Sequence, residues 1–149
     1  MVQSSAAATT SGPQPGDLIA DFSGHAADGR AVWRRDFKGR RHLVLCFAAP
    51  LPDHVRRDLL AELTTRLPAF RAAGAEVVAF WPGDPPAEPA TILADPDGRT
   101  HARYSATAPL LIAADRYGEI VLRRPLDNLP AALDEALAAI EWMQTRCSV

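Results

Sequence analysis

Two stretches of nearly unbroken apolar sequence dominate the chain. One is His42-Leu43-Val44-Leu45-Cys46-Phe47-Ala48-Ala49, stopped by Pro50; the other is Ala75-Glu76-Val77-Val78-Ala79-Phe80-Trp81. Short runs that do not alternate and are bounded by breakers predict strands buried on both faces, and therefore a sheet with helices on each side. Between them Val55, Leu59, Leu60, Leu63, Leu67 and Phe70 recur at helical spacing. Asp53 is placed to cap that helix and Gly74 to close it, while Pro68 should kink or divide it near its last turn. A Pro-rich loop over 82–89 leads to a third strand, Thr91–Asp95, and Asp95-Pro96-Asp97-Gly98 then turns into a short helical piece around Thr100–Tyr104.

Further on, Leu110–Ala114 and Glu119–Arg123 flank Asp115-Arg116-Tyr117-Gly118, a spacer of hairpin length ending in Gly, so these two strands should be antiparallel. Pro130 suits a first helical turn, and Leu133, Leu137, Ile140 and either Met143 or Trp142 form the buried stripe of a closing helix. Near the start, Leu18–Phe22 and the turn Ala27–Arg30 precede Ala31-Val32-Trp33, the returning strand of a hairpin. This order predicts an α/β layer fold, a mixed central β-sheet flanked by helices with an N-terminal β-hairpin extension.

Composition narrows the function classes. Sixteen basic against eighteen acidic residues leave a formal charge of −2 over 149 residues, which is not the basic footprint of a nucleic-acid binder. No apolar run approaches the roughly 20 residues that cross a bilayer, so no membrane partner is expected. Residues 1–14 are Ser/Ala/Thr-rich without a basic start or an apolar segment of signal-peptide length. They are expected to be a disordered arm of a cytoplasmic protein, before a domain over 15–146 and a tail over 147–149. The two cysteines, Cys46 and Cys147, form no Cys-x-x-Cys pair, and His25, His42 and His101 show no metal-ligand spacing. Neither a metal nor a cofactor is expected.

Several local motifs, taken in order, resemble the thioredoxin superfamily in its redoxin branch. That branch includes the alkyl hydroperoxide reductase C / thiol-specific antioxidant (AhpC/TSA) peroxiredoxins and the membrane-tethered thiol reductases. Pro15-Gly16-Asp17-Leu18-Ile19-Ala20-Asp21-Phe22 resembles the family's opening, and Asp28-Gly29-Arg30 with Lys38-Gly39 its next segment. Asp95-Pro96-Asp97-Gly98, Tyr104, Ala108-Pro109 and Asp115 to Val121 continue the match in register. The resemblance covers about Pro15 to Ile140 and implies a thioredoxin-like fold. It also implies that Pro109 is the family's cis-proline, facing the active site.

The chemistry of that family needs a thiolate at the start of the helix after the core strand. There, free backbone N–H groups and the helix dipole stabilise negative charge and lower the thiol pKa. Here Pro52 and Val55 stand at the two positions of the reductases' Cys-x-x-Cys. The peroxiredoxin pattern Pro-x-x-x-Thr/Ser-x-x-Cys fails as well: counting from Pro50 it meets His54 and Arg57, and from Pro52 it meets Arg56 and Leu59.

The remaining candidates are weak for catalysis. Cys46 lies inside a strand expected to be buried, where a thiol is harder to ionise and to reach. Cys147 sits at a terminus, as an ordinary surface thiol or a resolving or intermolecular one. His54, beside Asp53 and Arg56, puts a titratable ring where the redox pair would sit, but no nucleophile accompanies it. Arg34, Arg35, Lys38, Arg40 and Arg41 read as a solvated basic loop, and Trp33, Trp81 and Trp142 as core or edge packing. The leading expectation is a redox-inactive module that binds a protein or small molecule through Pro52, Asp53, His54, Arg56, Ala108 and Pro109. A divergent thiol peroxidase using Cys46 or Cys147 is the first alternative. The second is a structural domain like those appended to flavin-dependent hydroxylases, acting here as a homodimer.

Overall fold

A computed structural model of the chain describes residues 12–147 other than Pro89, and of Cys147 only its place in the last helix. Residues 1–11 of the expected arm and the tail residues 148 and 149 lie outside the described residues, as does the side chain of Cys147.

The two apolar runs form the middle of a five-stranded sheet. Strand β3 (His42–Phe47) is buried at all six positions and pairs in parallel with β4 (Ala75–Trp81), setting Val44 against Val77 and Phe47 against Phe80. Strand β5 (Thr91–Ala94) continues the parallel side, while β6 (Leu110–Ala114) runs antiparallel on the other flank of β3 and is followed by β7 (Ile120–Pro125). The strand order is β5-β4-β3-β6-β7. A separate hairpin, β1 (Ser23–His25) with β2 (Ala31–Trp33), precedes the sheet. Its outgoing strand begins after Leu18–Phe22. That earlier segment is held otherwise, with Ile19 and Phe22 buried and Leu18 bridged to Glu119.

Each face of the sheet carries its own core. Helices α1 (Asp53–Ala72) and α3 (Leu129–Cys147) cover one face, where Leu59, Leu63, Leu67 and Phe70 meet Leu133, Ala136 and Ile140 over Val44 and Cys46. The short helix α2 (Arg99–Arg103) and the N-terminal segment cover the other, around Phe47, Phe80, Tyr104 and Ile112. Fully burying side chains of this size stabilises the fold by about 1.5–3 kcal/mol each, and β3 supplies such side chains to both cores.

Three local expectations are corrected. Helix α1 is not divided at Pro68, which is exposed along with Thr64, the residue whose carbonyl loses its usual i+4 donor there. Water can take that carbonyl, and buried Leu67 and Phe70 hold the helix to the sheet on either side. Asp53 is not the cap: Pro52 precedes the helix, its carbonyl accepting from the N–H groups of Val55 and Arg56, and no side chain caps it. Asp53 is the first helical residue, where a negative charge suits the dipole. Of the tryptophans only Trp81 is buried; Trp33 and Trp142 are exposed, each with an arginine (Arg35, Arg146) over its ring at 4.7 and 4.8 Å. The arginine stems shield their rings from water without a place in the core.

Candidate functional site at the end of the central strand

Strands β3, β4 and β5 run parallel and end on the same side of the molecule, so their following loops gather there. In open α/β sheets that edge is where ligands ordinarily bind. Cys46 lies one residue before the end of β3 and is fully buried. Removal from water pushes its thiol up to about 12, so at neutral pH the sulfur is an un-ionised, apolar core group.

Beyond β3 the chain turns through Ala48, Ala49, Pro50 and Leu51 into α1. Pro52, Asp53 and His54 are exposed at the helix start. Arg56 folds back, donating from Nη1 to the Leu51 carbonyl at 3.1 Å, pairing with Asp53, and lying 5.9 Å from the centre of the Trp81 ring. Around the positions where the resemblance places thiols, held here by Pro52 and Val55, stand a carboxylate, an imidazole and a guanidinium, with no thiol or hydroxyl among them. A helix start favours an anion, and Asp53 supplies one of fixed charge.

Two clefts open at this edge. The first, about 350 Å³, is walled by Ala49, Pro50, Pro82 and Pro96, with Asp95 and His101 in its lining. The second, about 320 Å³, runs along Ala108 and Pro109 beneath Arg123 and Arg124. Ala106 and Thr107 line both. The structure therefore brings Ala108 and Pro109 to the same edge as the start of α1, whereas Pro52, Asp53, His54 and Arg56 line neither cleft. The expectation for Pro109 is corrected: the cis bond among the described residues is Ala49–Pro50, and Ala108–Pro109 is trans. Pro109 leads directly into β6, with its carbonyl accepting from the Leu126 N–H at 3.0 Å, and trans is the ordinary form of such a bond.

The least expected feature is a buried carboxylate–imidazole pair. Asp95 and His101 are 5% and 6% exposed, and His101 Nδ1 lies 2.6 Å from Asp95 Oδ2. The carboxylate also accepts the N–H groups of Thr100 and His101 at 3.1 and 2.9 Å. Burial raises the Asp95 pKa, and the bonds from His101 and Thr100 outweigh it, leaving the carboxyl below its usual range. On the other side of the ring, His101 Nε2 accepts the Ala49 N–H at 3.2 Å. Sequence reasoning assigned His101 no role because it looked for metal spacing. The signal it offered was a turn of two aspartates, Asp95 and Asp97, six and four residues ahead of a histidine. Gly98 takes the left-handed conformation (φ 72°) that swings Asp95 back over the first turn of α2.

No family model matches the sequence, and no curated protein does either. Solved structures do match. One described as a candidate thiol:disulfide interchange protein DsbE from Chlorobium tepidum is 27% identical, with a TM-score of 0.68 over 86% of this chain and 98% of that one. Thioredoxin peroxidase I of Plasmodium yoelii is 18% identical, with a TM-score of 0.73 over 91% and 93%. Peroxidoxin BcpB of Mycobacterium tuberculosis is 16% identical, with a TM-score of 0.70 over 85% and 96%. Among the described residues Cys46 is the free cysteine, and it is buried. With this strand order and these neighbours, the chain has the thioredoxin-like fold of the redoxin branch, without that branch's thiols at the start of the helix after the core strand.

Proposed function

We propose that the protein is a redox-inactive binding module, which engages a protein segment or a small molecule with the edge where the parallel strands end. The observation that carries this reading is chemical: the start of α1 bears Pro52, Asp53, His54 and Val55 where relatives of this fold need sulfur, and Cys46 is a buried thiol pushed up to about 12. Thiol chemistry needs an accessible thiolate, and burial at this depth opposes both conditions. Binding needs neither. Two clefts of a few hundred cubic ångströms, the exposed Pro52, Asp53 and His54 and the half-buried Arg56 offer a partner apolar walls and mixed charge.

The test has two parts. Hydrogen peroxide consumption in the presence of dithiothreitol should equal the protein-free rate for the wild type. Turnover that disappears in Cys46→Ser or Cys147→Ser would replace this reading with a thiol peroxidase. For binding, partners captured from the protein's own host should be retained by the wild type and lost by an Arg56→Glu variant of unchanged stability. Capture that ignores Arg56→Glu and an equivalent change at Pro109 would place the contact elsewhere.

A further inference from the structure

The turn that carries the candidate site is tied down by one side chain. The Ala49 N–H donates to His101 Nε2, and Ala49 and Pro50 form a wall of the first cleft. A backbone N–H can only donate, so Nε2 must present its lone pair. The single N–H of the neutral imidazole is then on Nδ1, pointing at Asp95. The wiring is therefore directional, running from the Ala49 amide to the imidazole and from the imidazole to the carboxylate.

We propose that the Asp95–His101 pair is a proton-operated latch on the β3–α1 turn, closed while the imidazole is neutral and open once it is protonated. It rests on the reading above, since what the latch controls is the shape of the cleft assigned there to binding. When a proton from solvent is taken up at Nε2, that nitrogen becomes a donor and faces the donor of Ala49. The bond is lost, the amide has no acceptor, and the turn must move away or turn its N–H to water. Nδ1–H meets the Asp95 carboxylate in either state, so the contact that changes is the one with Ala49.

Few charged groups face the ring. From β3 the neighbour is the Phe47 ring, edge-on at 5.3 Å and uncharged. From the β5–α2 turn come Asp95, in direct contact, and Asp97, which shares the cleft and is paired with Arg99 at 2.9 Å. The cations of its own helix are engaged elsewhere, Arg99 with Asp97 and Arg103 with the Asp21 carbonyl at 2.7 Å. Pro50, Pro82 and Thr107 complete the lining without charge, and the charged group at the start of α1 does not reach the cleft. Among the described residues the charged group in direct contact with the ring is thus the Asp95 carboxylate.

The test uses ¹⁵N-labelled wild-type protein and no ligand. At about pH 8 the His101 ring should show the Nδ1–H tautomer, although free imidazoles favour the other. As the ring takes up its second proton, the hydrogen-exchange protection factor of the Ala49 amide should fall at least about tenfold, while Val44 and Leu45 in β3 keep theirs. His101→Gln, which has no titrating ring, should abolish the pH step. If that variant does not fold, the two wild-type measurements decide alone. An Nε2–H tautomer at high pH, an Ala49 protection factor unchanged across the ring's titration, or a ring neutral until global unfolding each overturns the latch. Because none of these readouts involves a bound partner, failure of the binding reading and failure of the latch are told apart.

Discussion

Strand β3 has a buried histidine at each end, and the two are wired differently. His42 opens the strand, 1% exposed, with Nε2 3.0 Å from Gln144 Oε1 on α3 and no partner for Nδ1 among the described residues. His101 packs by the strand's other end with both ring nitrogens engaged, one by a carboxylate and one by a backbone amide. An amide oxygen accepts, so His42 carries its proton on Nε2, whereas His101 carries it on Nδ1. Burial alone thus says little about what a histidine does. His42 bridges a strand and a helix through neutral groups, and its bare Nδ1 gains nothing from its neighbours. His101 joins the Asp95 carboxylate to the backbone of the β3–α1 turn.

The largest effect expected of this contrast is from Asp95→Ala. It removes three hydrogen bonds at once and leaves a buried imidazole N–H unanswered, so urea unfolding should show a loss of about 3–5 kcal/mol. A loss under about 1 kcal/mol would mean that the pair is incidental to the fold.

Next in size is the dependence of stability on pH. Desolvation by burial lowers the His42 pKa below 6.5, against the hydrogen bond that His42 donates to Gln144, which raises it. The unfolded chain therefore binds this proton more readily than the folded one. The contribution is whole above about 6.5 and shrinks as the pH falls below it, by at most about 1.4 kcal/mol per pH unit. Asp95 adds a second, more acid limb of the same sign. Its folded carboxyl lies below 3.8, so its contribution is present above that value and is lost as the pH falls through the folded pKa. Urea midpoints measured across this range should show two separate declines; a single decline confined to the more acid limb would contradict the reading of His42.

The smallest effect belongs to His42→Leu. An apolar side chain of similar bulk removes the unpartnered Nδ1, and Gln144 is half-buried, so its amide can turn toward water. Stability at neutral pH should change by no more than about 1 kcal/mol, and the upper limb of the pH profile should vanish with it. A loss of several kcal/mol would give His42 the kind of role assigned here to His101.

Much of the fold was legible because its signals are local and redundant. The unalternating runs at 42–49 and 75–81 could only be interior strands, and Asp115–Gly118 could only be a tight connection between neighbours. The errors arise where a local rule meets tertiary context. Pro68 falls on the solvent face of a helix whose other face is held by Leu63, Leu67 and Phe70, so the packing overrides the breaker. The missing thiols at the start of α1 followed from the resemblance to the redoxins, once their motifs were laid residue by residue on this sequence. The Asp95–His101 pair did not, because Asp95-Pro96-Asp97-Gly98 offers two carboxylates to cap α2, and only the left-handed Gly98 decides that Asp95 turns inward while Asp97 stays at the surface with Arg99. Nor could sequence show that the ring's far nitrogen would meet Ala49, 52 residues away.

The redox-inactive binding role proposed for this edge depends on Cys46 being chemically silent in the folded protein. Native-state labelling of a Cys147→Ser variant with a thiol reagent at neutral pH measures this directly, since Cys46 is then the chain's one thiol. The account predicts that Cys46 is modified no faster than the protein globally unfolds, with a rate that follows stability as urea is added. Rapid stoichiometric labelling of the native protein, independent of urea, would show an accessible thiolate at the end of β3 and contradict the account.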